Sequence, residues 1–294
     1  MNVTGNDNVH VGRFPAIRRK PISPVRNLHS AAQEWSARLL LAVTWISGAI
    51  FAVYILAFFG GMALKGEGQR WNESLPGLHD PFAPSATIAI GLHFVAGGVL
   101  LLLGPVQLIG PVRRRFPAFH RWLGRTYVFS AGLAGLGGLG FIIGKGTIGG
   151  PVMDLGFGLY GVLMILCAAM TYACARSGCY EEHRAWAIRL FALTVGSWLY
   201  RMEYGVWFVL TGGRGVDGFS GWFDMMMTFF FYVPNLLVAE LFIRSRRYHR
   251  GAAGALGTAI VLLVASGFIM FATWRFTVHN WGPKTVQGIT QPSL

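Results

Sequence analysis

Apolar residues in this chain arrive in long runs separated by short polar connections. Seven runs stand out: Leu39 to Leu64, Ala86 to Gly110, Tyr127 to Gly144, Leu155 to Cys174, Leu190 to Thr211, Trp222 to Ile243 and Ala252 to Trp274. Each comes close to the roughly 20 residues that a helix needs to cross a hydrocarbon core. A backbone in lipid must satisfy its own hydrogen bonds, and none of the runs shows the two-residue alternation of a barrel strand. The pattern therefore predicts an all-α polytopic transmembrane helix bundle of about seven spans. A basic N-terminal segment, 1–38, precedes the membrane domain 39–274, and a tail, 275–294, follows it.

Composition agrees and adds an orientation. Hydrophobic residues make up 53% of the chain and charged ones 13%, against roughly 25% charged in soluble domains. With the N-terminus in the cytoplasm, 18 of the 25 Lys and Arg fall on inner segments, Arg201 lies within the fifth span and six face outward. That asymmetry satisfies the positive-inside rule and places the C-terminus in the periplasm. The net charge of +13 then reads as attraction to an anionic cytoplasmic leaflet, so no nucleic-acid partner is needed to explain it. The first run is long and lacks a small-residue cleavage site, as expected of an uncleaved anchor, and Arg18-Arg19 is not followed directly by an apolar stretch. Three cysteines, Cys167, Cys174 and Cys179, form no Cys-x-x-Cys pair.

Two polar thresholds repeat one another: Phe119-His120-Arg121-Trp122-Leu123-Gly124-Arg125 and Glu182-His183-Arg184-Ala185-Trp186-Ala187-Ile188-Arg189. Each joins two spans on the inner side, which suggests a duplicated helical hairpin. Small residues in the third span, Ala134/Gly138 and Gly140/Gly144, suit close helix packing. Gly104-Pro105 is expected to kink the second.

The run Leu92-His93-Phe94-Val95-Ala96-Gly97-Gly98, then Leu103-Gly104-Pro105-Val106-Gln107, His120 to Tyr127, and later His183-Arg184 with Arg201, resembles a bacterial polytopic membrane-protein family of unknown function. The resemblance covers roughly Ala86 to Arg201 and leaves spans six and seven uncovered. It implies a bacterial inner-membrane location and draws attention to His93, His120, His183 and Arg201. It implies no activity.

Ionisable groups at membrane depth usually face a bundle interior and mark function. His93 and Arg201 are expected to share a layer in the outer half of the membrane. Thr194, Ser197, Arg201 and Tyr204 form one helical stripe, and Asp224, Thr228, Tyr232 and Asn235 another, so Asp224 is the expected counter-ion of Arg201. One reading is a structural network that fixes packing. The other is a small-molecule, quinone or proton site formed by His93, Arg201, Asp224 and Tyr204, in which Arg201 binds an anionic or carbonyl group and His93 exchanges protons.

His120 and His183 also allow two readings. As facing imidazoles they would ligate a haem b, with Arg121, Arg125, Arg184 and Arg189 on its propionates. As interfacial anchors, the preferred reading, the same residues contact phospholipid headgroups. The sequence shows no phosphate-binding glycine loop, nucleophile elbow or zinc-binding spacing. The expected protein is a membrane component with a buried His/Arg site, linked to haem or quinone electron transfer. A small-solute or proton-coupled transporter, or an assembly subunit with a membrane-complex partner, are the alternatives.

Overall fold

The computed structural model describes residues 24–247 and 252–290. The N-terminal stretch 1–23, with His10 and Arg18-Arg19, lies outside the described residues, as does His249. The first helix, α1 (Pro24–Ile55), passes through a π-helical turn (Leu56–Gly60) into α2 (Gly61–Leu64). A connection containing one 3-10 turn (Gly68–Glu73) leads to α3 (Pro84–Leu108), a short α4 (Gly110–Arg115) and α5 (Pro117–Lys145). Next come α6 (Gly150–Arg176), α7 (Tyr180–Thr194), α8 (Gly196–Thr211), α9 (Trp222–Phe230) and α10 (Val233–Arg247). The chain closes with α11 (Ala252–Phe276), a second π-helical turn (Thr277–Trp281) and α12 (Gly282–Thr290).

Six of these helical segments are long and apolar enough to cross a membrane, so the protein is a multi-pass membrane protein. The expected fifth span, Leu190 to Thr211, is not one uninterrupted helix: α7 and α8 meet at Val195. The Tyr160 hydroxyl donates to the Leu193 carbonyl at 2.9 Å, competing for the acceptor that a continuous helix would offer to Ser197 N–H. Gly196 also lies so close to the Phe231 carbonyl that a Cβ there would come within 3.2 Å of it. The helix breaks where two neighbours crowd its backbone.

Two other boundaries differ from expectation. Residues from Pro24 onward are helical, so part of the polar segment 1–38 belongs to α1. The seventh helix does not end at Trp274, and the expected tail continues through the second π turn to Thr290. Proline 105 does not end α3, which runs three residues past it.

The helices form a closed ring in which α1 packs on α3, α3 on α5, α5 on α6, α6 on α7, α7 on α10, and α10 on α11, which returns to α1. Within the ring lie two apolar clusters. One gathers Phe51, Tyr54, Phe58, Phe59, Trp71, Phe94, Trp198 and Trp281. The other gathers Tyr127, Tyr160, Met164, Leu190, Leu193, Phe223, Phe231 and Tyr232.

The extension α12 runs beside the end of α1. Trp281 packs on Phe51 at 5.1 Å between ring centroids, and Lys65 Nζ donates to the Gly288 carbonyl at 3.1 Å. Gly288 touches the π turn directly: a Cβ there would fall 2.2 Å from the Ala57 carbonyl oxygen. We therefore expect Gly288→Ala to lower thermal stability in detergent by about 1–3 kcal/mol, the usual cost of overpacking, and to expose the C-terminal helix to protease. Gly97→Ala, where no atom lies within 4 Å of the added carbon, should leave both unchanged.

Candidate functional site

The placement of His93 begins with glycine. At Gly137 a Cβ would lie 2.7 Å from the Ala89 carbonyl oxygen and 3.2 Å from His93 N, so α5 meets α3 backbone to backbone. This closeness brings His93 Nδ1 to 2.8 Å from the Ala134 carbonyl. With Nδ1–H donating there, Nε2 is left as the acceptor, and it has no partner among the described residues.

Arg201 projects from α8 into the seam between the two apolar clusters. Its guanidinium stands 5.3 Å from the centre of the Phe51 ring and donates through Nη1 to the Ser197 carbonyl at 2.7 Å. It interacts electrostatically with Tyr54 of one cluster and with Tyr160 and Tyr200 beside the other. His93 is within the same electrostatic range. Both side chains lie among the helices of the bundle and are half-buried.

The expected counter-ion is not there. Asp224 is fully buried, but its carboxyl accepts from Tyr204 Oη at 2.6 Å, Asp217 N at 2.9 Å and Gly221 N at 3.0 Å. It caps the start of α9, where backbone N–H groups lack helical partners. Tyr204 turns toward it and away from Arg201, and Tyr200 donates to Tyr204 at 3.4 Å. Among the described residues no carboxylate pairs with Arg201. The two stripes therefore serve different ends: Thr194 meets the Tyr127 hydroxyl at 2.8 Å, Arg201 faces α1, and Tyr204 and Asp224 form the cap.

A second cation stands near Arg201 that the sequence pattern did not single out. Lys284 of α12 lies 5.5 Å from the Phe58 ring and interacts electrostatically with Arg201 and Glu73. Its Nζ donates to the Glu73 carbonyl at 3.4 Å. Placing 275–294 in a free tail hid it, although Trp281 just before it is the kind of residue that anchors a helix end. Glu73 itself is held below the ordinary carboxylate range by its hydrogen bond to Arg70, despite some opposing burial. The connection before α3 closes this end of the seam: Trp71 Nε1 donates to the Phe59 carbonyl at 2.9 Å, and the Tyr54 and Ser74 hydroxyls meet at 2.8 Å. It is fastened to α5 by the ion pair of Asp80 with Lys145 at 2.7 Å, which holds the Asp80 carboxyl below its ordinary range.

The repeated thresholds sit together at the opposite, arginine-rich end. His120 and His183 interact electrostatically, with Arg113 and Arg121 beside them. Each ties a helix start back to the end of an earlier long helix, by different chemistry. His183 Nδ1 meets the Thr171 carbonyl at 2.9 Å, whereas the His120 carbonyl accepts from Gln107 Nε2 at 3.4 Å. Nδ1 of His120 is buried without a partner among the described residues. Arg189 does not join them: it pairs with Glu240 at 2.7 Å and lies over Trp186. Arg184 has Arg246, Arg113 and Glu181 as its charged neighbours, and Arg121 and Arg125 are exposed. Among the described residues no three His, Cys, Asp or Glu side chains converge as a metal site.

The sequence of residues 90–243 matches the predicted membrane protein family DUF2306, a domain of unknown function, and the chain belongs to that family. The match runs further than the motifs suggested, through the sixth span, while leaving α1 and α11 with α12 outside it. No curated protein and no solved structure matches the chain. His93 and Arg201 fall within the matched region; Phe51, Tyr54 and Lys284, which complete the seam, fall outside it.

The cap gives a direct test of what Tyr204 does. Tyr204→Phe removes one of three donors to a buried carboxyl and should cost about 1–3 kcal/mol of stability, read as a lower unfolding temperature. Tyr200→Phe, which loses only a 3.4 Å contact, should change it far less.

Proposed function

We propose that this member of the family binds a small carbonyl-bearing or anionic molecule in the seam beside Arg201, with a quinone as the ligand class. The observation that carries the reading is the guanidinium without a carboxylate partner, enclosed by the bundle, with four of its five N–H donors uncommitted among the described residues. A cation is costly at membrane depth unless something answers its charge. A phenyl ring and one backbone carbonyl stabilise Arg201 only in part. A ligand carbonyl or anion would take the remaining donors.

The surrounding side chains suit such a ligand. Phe51, Tyr54, Phe59 and Phe94 supply an aromatic wall. His93 Nε2 supplies a group able to exchange a proton with a bound oxygen, and Lys284 adds positive potential. In this reading Asp224 and Tyr204 are structural and hold α9 in place. The arginine-rich end faces the cytoplasm of a bacterial inner membrane, in keeping with the distribution of basic residues.

A second reading rests on the electrostatic contact of His120 with His183. With Nδ1 of His183 held by Thr171, its Nε2 is the nitrogen left for iron, and the pair would hold a haem b.

The two readings separate in one preparation. Protein purified in mild detergent is expected to retain a quinone, extracted and identified by mass spectrometry, and to lose at least about 90% of it in Arg201→Gln, a tenfold change equal to about 1.4 kcal/mol. Undiminished retention in both Arg201→Gln and His93→Ala would exclude the seam as the site. A Soret band that disappears in His120→Ala and His183→Ala would instead support haem at the other end.

A further inference from the structure

A groove of about 440 Å³ runs between α5 and α6 on the outer surface of the bundle. It is a different place from the seam beside Arg201, and its chemistry is that of a lipid. Phe129 and Gly132 form one side, Ile165 and Ala169 the other, and Arg125 and Tyr172 stand at its polar end. The residues follow helical spacing: Arg125, Phe129 and Gly132 are four and three apart on α5, and Ile165, Ala169 and Tyr172 are four and three apart on α6. The two helices are antiparallel neighbours, so both polar residues lie toward the arginine-rich end.

The groove is open because its floor is small. Nothing lies within 4 Å of a carbon added at Gly132, and Ala168 and Ala169 fill little of the facing side. Its polar end is unanswered. Arg125 is exposed and has neither a hydrogen bond nor an ion pair among the described residues, and the Tyr172 hydroxyl has no partner there either. Arg125 lies eight residues into α5, about 12 Å along the axis at 1.5 Å per residue. An exposed guanidinium on the inner side of the bundle, two residues before the apolar run that begins at Tyr127, stands where it can meet an anion at headgroup level.

We infer that this groove is a binding site for one anionic phospholipid. Its phosphate takes Arg125 in a charge-assisted pair and the Tyr172 hydroxyl as a second donor, while one acyl chain lies along Phe129, Gly132 and Ile165. Among the arginines of this end, Arg125 is the one that stands at this apolar groove.

The test uses the full-length protein in nanodiscs of phosphatidylethanolamine containing a minority of phosphatidylglycerol, followed by native mass spectrometry of lipid adducts during stepwise removal of the disc. The wild type should keep one phosphatidylglycerol beyond the point at which phosphatidylethanolamine is lost. Arg125→Gln should reduce that retention by about tenfold, the scale of one charge-assisted hydrogen bond. Gly132→Leu, which fills the slot, should abolish it, and Arg114→Gln, an exposed arginine outside the groove, should leave it intact. Retained lipid in the bulk proportion, or equal retention of phosphatidylglycerol by the wild type and Arg125→Gln, would overturn the inference. Arg125→Gln changes an exposed side chain, so the comparison survives even if Gly132→Leu fails to fold.

Discussion

Where α3 and α5 meet at Gly137, the backbones are separated by little more than a hydrogen atom, and much of the interior follows from that contact. Lipid offers no hydrophobic drive to bring two apolar helices together, so close packing and polar contacts must supply the attraction. The row Gly137, Gly138, Gly140 and Gly144 provides it against Ala86, Ala89 and His93. With any larger residue at 137, His93 would be pushed away from the Ala134 carbonyl. The same hairpin sets the positions of Tyr127 against α7 and of Arg125 against α6. The contact between these two helices is therefore the reference from which both polar regions are placed.

Around that hairpin the protein handles buried polarity in two contrasting ways. Asp224 is closed off completely, and three donors converge on its carboxyl. Arg201 keeps an accessible face, one carbonyl acceptor and an aromatic ring. A satisfied group of the first kind fixes geometry. A group of the second kind stores an unmet demand for negative charge, and in a bilayer that demand is not met by water alone. The difference separates the two kinds of buried polarity more sharply than depth does.

The all-α membrane architecture, the hairpins and the packing use of the glycines were legible in sequence because each depends on local composition or short spacing. His93 and Arg201 also stand out in sequence, since a titratable residue in an apolar run contrasts with its neighbours, and the structure places them within electrostatic range of one another. The partnership of Arg201 with Asp224 was not legible. Helical spacing tells which residues share a face but not which helix that face meets, and Tyr204, three residues on, turns far enough to face α9 instead of α1. The break at Val195 was hidden for a related reason: the group that competes for the Leu193 carbonyl is a tyrosine from another helix, 33 residues away in sequence. Lys284 was missed because the run after Trp274 is too polar to read as membrane helix, and only its contact with α1 gives it a place.

The two π turns, Leu56–Gly60 in the first helix and Thr277–Trp281 in the last, both lie where α1 and α12 run side by side, the first packed on α12 and the second on α1. A π turn accommodates one more residue than the α-helical repeat allows, which advances the phase of everything beyond it by about 100°. Each therefore acts as a phase shifter within an otherwise regular helix. The turn in the last helix decides which face of α12 carries Lys284 and Gly288, and the turn in the first decides which carbonyl Gly288 finds opposite it. The positive potential near Arg201 is thus set by the winding of the backbone as well as by the choice of side chain.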